Sequence, residues 1–317
     1  MGRLVKGVWR EEWYDTEASN GEFIREDAGF RDWIKNEPSA RFQPESGRYH
    51  LYVSLACPWA HRTLIFRELK DLTTHIEVTV VSPDMLTEGW EMSLPDPLFG
   101  FTRMHQIYTQ AKPDYTGRVT VPVLWDKKHN TIVSNESSEI IRMFNSEFNE
   151  LTGNHDDYYP EKLRNDIEHW NNIVYENINN GVYRCGFATS QKAYEKAFED
   201  LFSALDQVDA HLAKNRYLAG FEITEADWRL FTTLVRFDAV YVGHFKCNKK
   251  RIADYSNLQG YLKELYQVSG VRETTDFDHI KRHYYYSHTG INPTQIIPKG
   301  PDLDLNSSHQ RVLSLND

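Results

Sequence analysis

Cysteine is scarce in this chain, with three residues among 317, and the three are not spaced as pairs. A disulfide-stabilised secreted fold needs a denser and more regular set of cysteines. The scarcity therefore excludes a disulfide framework and favours a reducing compartment. We expect a cytoplasmic protein.

Long apolar runs and an excess of positive charge are also missing. No apolar stretch approaches the roughly 20 residues of a membrane-spanning helix. The first residues, Met-Gly-Arg-Leu-Val-Lys, resemble neither a signal peptide nor a myristoylation signal. The chain has 36 basic and 46 acidic residues, a net charge of −10. Because membranes and nucleic acids are negatively charged, we expect neither as a partner.

What the sequence does have is a cysteine in an unusual place. A mostly apolar, strand-like run over 50–56 ends at Cys57, Pro58 follows, and helix-forming residues continue to Leu69. Proline is favoured at the first helical position because the N–H that it lacks has no partner there. Cys57 is therefore predicted at a helix N-terminus, where free N–H groups and the helix dipole favour a thiolate. Such a thiol is a nucleophile at neutral pH.

The predicted site contains one sulfur where a dithiol redox motif has two. Ala60 occupies the second position, so Cys57 has to act through a mixed disulfide with another molecule. Two other interpretations of Cys57 remain open: an inert buried residue, or a metal ligand together with His61 on the same helix face. No further cysteine or histidine lies nearby at ligand spacing, so we expect no metal.

The length of the chain, 317 residues, predicts two domains at roughly 150 residues each. After strand 50–56 and its helix we expect a strand at 77–82, a long loop at 83–113, and two more strands at 118–126 and 131–134. A helix over 139–144 closes this α/β part. The second half predicts helices, listed here: Glu161–Ile178, Ser190–Ala213, Glu225–Val242 and Leu258–Tyr266. A capping box at Thr224 and Asp227 begins the third of them.

These patterns divide the chain into four segments. They are an N-terminal extension (1–46), an α/β domain (47–152), a helical domain (160–298) and a polar tail (299–317). A turn-rich linker precedes the helical domain, and we expect the tail to be poorly ordered.

Two further places match one peptide ligand. If the Val121–Pro122 bond is cis, the N–H and C=O of Val121 turn away from the sheet and can pair with an extended peptide. The predicted helix N-terminus at Glu136 and Ser137 favours a carboxylate, and the Glu136 side chain can accept an ammonium group. Each feature alone also fits an edge-strand proline or a plain helix cap. Together with Cys57 they match glutathione.

The same residues carry a family resemblance. Cys57-Pro-Trp-Ala60, Val121-Pro122 and Asn135-Glu-Ser137 resemble the cysteine-type glutathione transferases, whose architecture is an α/β N-terminal thioredoxin-like domain followed by an all-α C-terminal domain. Longer strings are similar to the glutathionyl-hydroquinone reductases, the Xi class. These strings are Cys57–Arg62, Gly117–Asp126, Ile178–Arg184, Gly186–Gln191 and His279–Tyr284.

The resemblance implies roles for individual residues. Cys57 is the nucleophile, Trp90 packs on glutathione, and Arg103 meets a glutathione carboxylate, with Arg118 as an open alternative. Tyr183 and Tyr284 are implied to hydrogen-bond the quinol oxygens over the acceptor site. Tyr285 and Tyr286 adjoin the second of these and leave its register open.

The resemblance also implies the activity. Glutathionyl-hydroquinones are reduced to hydroquinones through a Cys57–glutathione disulfide, releasing oxidised glutathione. Glutathione is a co-substrate, and the protein is a homodimer with the 83–113 loop near its interface. Two alternatives remain: an omega-like thiol transferase or dehydroascorbate reductase, and a glutathione-binding module without catalysis.

Overall fold

The computed structural model describes residues 2–311, which divide into two units. The first comprises residues 2–13, 26–156 and 274–296. The second comprises residues 14–25, 157–273 and 297–311. No helix within residues 2–311 has both the length and the apolar composition needed to cross a bilayer.

The elements are listed in chain order. The first unit begins with β1 (Arg3–Val5), β2 (Val8–Arg10), β3 (Tyr49–Val53), α1 (Pro58–Leu69), β4 (Glu77–Leu86), β5 (Gly89–Met92), α2 (Met104–Ala111), β6 (Gly117–Arg118), β7 (Val123–Asp126), β8 (Thr131–Ser134), α3 (Ser137–Ser146) and α4 (Asn149–Thr152). The second unit contains α5 (Arg164–Ile173), α6 (Asn180–Phe187), α7 (Gln191–Leu212), α8 (Glu225–Arg236) and α9 (Leu258–Tyr266). Helix α10 (Phe277–Ser287) belongs to the first unit.

The first unit is organised around β3, all five residues of which are buried. The strand order of its larger sheet is β5-β4-β3-β7-β8. β4 runs parallel to β3, a connection that needs a crossover, and α1 supplies it. β7 pairs antiparallel with β3, and β8 with β7. The predicted α/β unit is therefore confirmed, with the strand that leads to Cys57 at its centre.

The segment 118–126 was predicted as one strand, and that prediction is wrong. β6 ends at Arg118 and pairs with β1 in a separate sheet of order β2-β1-β6, whereas β7 begins only at Val123 in the larger sheet. Pro122 lies just before β7. Because proline has no N–H to donate, it ends the ladder instead of continuing it.

Two segments are more structured than their sequence indicates. The 83–113 region contains the end of β4, the strand β5 and the helix α2. A left-handed Gly89, with φ of +71°, allows the tight reversal between β4 and β5. The 1–46 segment contributes β1 and β2, and its backbone also pairs at Arg31 with Ser134 of β8.

The second unit contains the four helical segments that the sequence predicts and one helix, α6, that it does not. α5 continues through a π-helical segment, Val174–Asn179, into α6, and α8 continues through another, Phe237–Tyr241. The capping box at the start of α8 is confirmed, since the Asp227 carboxylate accepts hydrogen bonds from Thr224 N at 2.8 Å and Thr224 Oγ1 at 3.0 Å. Asp227 also accepts from the buried Tyr261 hydroxyl at 2.7 Å.

The polar tail is packed as far as it is described. Gln267 Nε2 on the C-terminal side of α9 donates to the Leu305 carbonyl at 2.8 Å. Lys263 Nζ donates to Ser307 Oγ at 2.7 Å, and Arg311 pairs with Glu264 at 2.6 Å. Residues 299–311 therefore do not form the poorly ordered tail that we expected. The last six residues of that tail, 312–317, lie outside the described residues.

Candidate active site

Cys57 is the N-cap residue of α1. Its backbone is extended (φ −76°, ψ 119°) and Pro58 occupies the first helical turn, as predicted. The Cys57 side chain is half-buried, whereas Cys185 and Cys247 are buried. The Cys57 thiol donates a hydrogen bond to the Val121 carbonyl oxygen at 3.4 Å. A partly accessible sulfur at a helix N-terminus has the placement required of a nucleophile.

The turn before Cys57 is fixed by hydrogen bonds that the sequence did not reveal. Ser54 Oγ accepts from Ala56 N at 3.2 Å, and the Ser54 carbonyl accepts from Cys57 N at 3.1 Å. His279 Nε2 of α10 lies 3.3 Å from the same Ser54 Oγ. His61 is fully buried, and its Nε2 lies 2.7 Å from Thr274 Oγ1. The segment 274–287 therefore contacts both the turn before Cys57 and the helix α1 that follows it.

Val121 lies next to the cysteine, just outside the sheet ladder. The Val121–Pro122 peptide bond is cis, which was the condition in the sequence argument. The pairing of β3 with β7 ends at Tyr52 and Val123, so the Val121 carbonyl makes no bond in that ladder. It accepts the Cys57 thiol instead.

Glu136 and Ser137 begin α3, as predicted. Glu136 is the N-cap, and its Oε1 accepts from Ser138 N at 2.9 Å and from Ser138 Oγ at 2.8 Å. Ser137 is buried, with Arg62 Nη1 at 3.4 Å from its hydroxyl oxygen. The capping role of Glu136 is therefore present in the structure, and any role in ligand binding adds to it.

Trp90 lies on β5, opposite Met85 of β4. The Trp90 side chain is largely buried, at 8% exposure. Its ring stacks on His283 of α10, with centroids 4.7 Å apart and planes 20° apart. The family resemblance implies a role for Trp90 but none for His283, and the two residues are far apart in the chain.

Arg103 and Arg118 are in different situations. The Arg118 guanidinium is buried and donates to Glu26 Oε1 at 3.0 Å, to the Glu12 carbonyl at 2.5 Å and to the Trp13 carbonyl at 3.1 Å. Arg103 is 39% exposed and pairs with Glu88 at 3.1 Å. Since Arg118 is committed to the N-terminal segment, Arg103 is the better candidate for an external carboxylate.

The two tyrosines lie in different units. Tyr284 on α10 is in the first unit and is 1% exposed, with its ring against His283 and His288. Its neighbours Tyr285 and Tyr286 are half-buried. Sequence order placed Tyr284 in the helical segment 160–298, but the contacts of α10 group it with β4.

Tyr183 on α6 is in the second unit. It is 9% exposed and lies in a cluster of aromatic rings: Phe23, Phe187, Tyr241 and Phe245. The guanidinium carbon of Arg25 is 4.9 Å from the centre of the Tyr183 ring. A cation over the ring face is attracted by the ring quadrupole.

Within residues 2–311, no group of three or more Cys, His, Asp or Glu side chains is arranged to hold a metal ion. His61, the other member of the possible Cys57 metal pair, has its Nε2 hydrogen-bonded to Thr274.

Comparison with known proteins identifies the family of this chain. The model of the glutathione S-transferase N-terminal domain matches residues 56–147, and that of the C-terminal domain matches residues 191–264. The glutathionyl-hydroquinone reductase YqjG of Escherichia coli is 52% identical, covering 98% of each chain. The glutathionyl-hydroquinone reductase PcpF of Sphingobium chlorophenolicum is 50% identical, covering 95% of this chain and 96% of the relative.

Solved structures give the same result. The glutathione-bound structure of YqjG superposes with a TM-score of 0.89 and 50% identity, covering 98% of this chain and 99% of the other. The Xi-class glutathione transferase of Natrialba magadii superposes with a TM-score of 0.91 and 47% identity, covering 98% and 96%. The chain therefore belongs to the glutathione transferase family. Within that family it is a member of the Xi class, with the glutathionyl-hydroquinone reductases, as its sequence motifs predict.

Proposed function

We propose that this protein reduces glutathionyl-hydroquinones to hydroquinones, with glutathione as reductant and Cys57 as nucleophile. The observation that carries the proposal is the half-buried Cys57 thiol at the N-terminus of α1, bonded to the Val121 carbonyl and with Ala60 in place of a second thiol. Relatives at about half identity over nearly the whole chain are named for this activity.

In the first step the Cys57 thiolate attacks the sulfur of the glutathionyl thioether. The new bond is S–S, and the bond that breaks joins sulfur to the ring carbon. The ring carbon leaves with the electron pair and takes a proton, which Tyr183 or Tyr284 supplies or orients. An aryl thioether is hard to break directly, so we propose that the ring reacts as its keto tautomer, in which carbon is the better leaving group.

In the second step a free glutathione thiolate attacks the Cys57–glutathione disulfide. Oxidised glutathione leaves and the Cys57 thiolate is restored. The two glutathione sulfurs are oxidised by two electrons, and the ring carbon gains them. Since Ala60 offers no internal thiol, this external step is required.

Four groups of the first unit are proposed to hold glutathione. The Val121 backbone pairs with the cysteinyl part and brings its sulfur to Cys57. The start of α3, at Glu136 and Ser137, receives the γ-glutamyl head, because N–H groups there favour its carboxylate and Glu136 favours its ammonium group. Trp90 packs on the tripeptide, and Arg103 meets a carboxylate.

The test is turnover of a glutathionylated menadiol in the presence of glutathione, measured as the release of hydroquinone. Wild type is expected to turn over. Cys57→Ser is expected to lose at least about 10³-fold, because a hydroxyl neither ionises at neutral pH nor forms a mixed disulfide. Cys247→Ser, the same change at a buried cysteine, is the matched control and should retain activity. An inactive wild type, or an active Cys57→Ser, rejects the proposal.

The same preparation separates the rival activities. Thiol transfer and dehydroascorbate reduction need Cys57 but not the tyrosines, so they would survive Tyr183→Phe and Tyr284→Phe. Glutathione binding without turnover of any of these substrates would indicate a binding module.

We also propose that the protein is a cytoplasmic homodimer that needs no metal. Dimerisation rests on the Xi-class membership, and its test is a sedimentation mass of twice the 37.2 kDa chain. The chemistry proposed here is thiol exchange, so turnover should be unchanged after treatment with EDTA. A metal-dependent rate would contradict this mechanism.

A further inference from the structure

We propose that His283 is a positioning residue that fixes the plane of the Trp90 indole for glutathione binding. This inference rests on the proposed contact between Trp90 and glutathione. It assigns a role to His283, a residue of α10 that the proposed mechanism does not use.

The two rings are in direct contact. The imidazole of His283 and the indole of Trp90 are stacked, with centroids 4.7 Å apart and planes 20° apart. His283 is 5% exposed and Trp90 is 8% exposed, so the pair is largely shielded from water. Stacked aromatic pairs stabilise the folded state by more than the area that they bury. The contact also restricts the side-chain torsions of both residues. One face of the Trp90 ring is therefore set by His283.

The imidazole is itself held in place. Its Nδ1 lies 2.9 Å from the Pro83 carbonyl oxygen. A carbonyl only accepts, so Nδ1 carries the hydrogen and donates it. The His283 ring is thus fixed by a hydrogen bond on one edge and presents its face to Trp90.

Other residues of α10 attach the same stretch of β4. Arg282 donates to both carboxylate oxygens of Asp84, at 2.6 and 2.7 Å. Ser287 Oγ accepts from Met85 N at 2.9 Å and donates to the Pro83 carbonyl at 3.2 Å. Residues 283 and 287 lie one turn apart on the helix.

This attachment continues to Trp90 through the hairpin. Met85, held by Ser287, is the cross-strand partner of Trp90. Trp90 is therefore positioned twice, through its backbone by the β4–β5 pairing and through its ring by His283. Helix α10 also reaches the cysteine turn, where His279 contacts Ser54. A single helix thus supports both Cys57 and the proposed glutathione-packing residue.

The experiment measures glutathione affinity by titration calorimetry in reducing buffer. His283→Asn keeps a donor near the position of Nδ1 but removes the ring, and should raise the Kd at least fivefold. His283→Phe keeps the stacking ring and should stay within twofold of wild type. Arg282→Ala, which loosens the same helix from the same hairpin without touching Trp90, is the matched control and should also stay within twofold.

A double-mutant cycle distinguishes positioning from general destabilisation. In a Trp90→Ala background, His283→Asn should have no further effect on the Kd. Far-UV circular dichroism checks each variant for folding, and His283→Leu, a second ringless variant, replaces His283→Asn if the latter is unfolded.

Three results would overturn the inference. They are an unchanged Kd in the ringless variant, an equal rise in Kd for His283→Phe, or an equal rise in the Trp90→Ala background. If Trp90→Ala itself leaves the Kd unchanged, the proposed glutathione contact fails instead, and the two failures are thereby distinguished.

Discussion

The thiol of Cys57 donates a hydrogen bond to the backbone carbonyl of Val121, a residue 64 positions further along the chain, at 3.4 Å. The sheet explains this meeting. β3 and β7 are antiparallel neighbours whose pairing ends at Tyr52 and Val123. The chain segments that leave the paired ends, one towards Cys57 and one coming from Val121, therefore lie side by side. The central strand pair thus brings the Cys57 thiol, the proposed nucleophile, next to a backbone carbonyl that makes no bond in the ladder.

The contrast between Arg103 and Arg118 yields a first prediction. Arg103→Ala should raise the glutathione Kd about 5- to 30-fold, the equivalent of ~1–2 kcal/mol for a charge-assisted pair, with little change in stability. Arg118→Ala should instead destabilise the fold by ~1–3 kcal/mol, because Glu26 and two backbone carbonyls lose their donor. Calorimetric titration and urea unfolding measure the two effects. If Arg118→Ala raises the Kd and Arg103→Ala lowers the stability instead, the glutathione carboxylate would be assigned to Arg118.

Glu136 yields a second prediction, in which capping and ligand binding are separable. Glu136→Gln retains a side-chain oxygen that can accept from Ser138 N, so α3 should remain capped. It removes the charge opposite the proposed ammonium group, so the glutathione Kd should rise about tenfold, or ~1.4 kcal/mol. Glu139→Gln, in the first turn of the same helix, is the matched control, since Glu139 pairs with Arg31. Equal effects of the two variants would indicate a general electrostatic influence of α3.

The tyrosine hydroxyls yield a third prediction. If Tyr183 and Tyr284 supply or orient the proton that the ring carbon takes, Tyr→Phe at each should lower kcat well beyond threefold, which is ~0.7 kcal/mol. Glutathione affinity should be unchanged. Tyr285→Phe and Tyr286→Phe are the matched controls. These two half-buried residues follow Tyr284 directly on α10, and the family resemblance assigns the role to Tyr284 and not to them. A larger loss at Tyr285 or Tyr286 would move the role to that residue.

Buried His244 yields a fourth prediction, on acid stability. Burial, with a smaller contribution from the charge of Lys246, lowers the pKa of His244 to about 4. An unfolded histidine has a pKa of about 6.5. Between these values the unfolded chain binds a proton that the folded chain does not, so stability falls as the pH decreases from about 6.5 to about 4. The total loss from this residue is about 3 kcal/mol.

His244→Asn should flatten this part of the profile. Urea midpoints of wild type and variant, compared at several pH values from about 7 to about 4, measure the change. The variant has no proton to take up at this position, so the difference between the two proteins should narrow as the pH falls. A difference that is constant with pH would show that His244 does not contribute to acid sensitivity.

The local elements of the site could be predicted from the sequence because their signals are local. The apolar run before Cys57, the adjoining Pro58 and the helix formers after it specify the strand, turn and helix within some 20 residues. The same holds for the capping box at Thr224 and Asp227, where spacing alone indicates the helix start.

The supports of the site could not be predicted, because they come from distant parts of the chain. His283 meets the Pro83 carbonyl across 200 residues, and Arg118 meets Glu26 across 92. No periodicity encodes such contacts. Chain order groups α10 with the helices that precede it, whereas its contacts group it with β4. β5 was missed for another reason, since a strand of four residues in a Gly- and Pro-containing segment is too short to show alternation.

The most direct test of the account is a mass spectrum of the protein treated with a glutathionylated quinol in the absence of free glutathione. Without the second thiol the cycle should stop after its first step. The account predicts one glutathionyl group per chain, located on the peptide that contains Cys57 and removed by added glutathione with recovery of activity. Hydroquinone release without any adduct on Cys57, or an adduct on Cys185 or Cys247 instead, would contradict it.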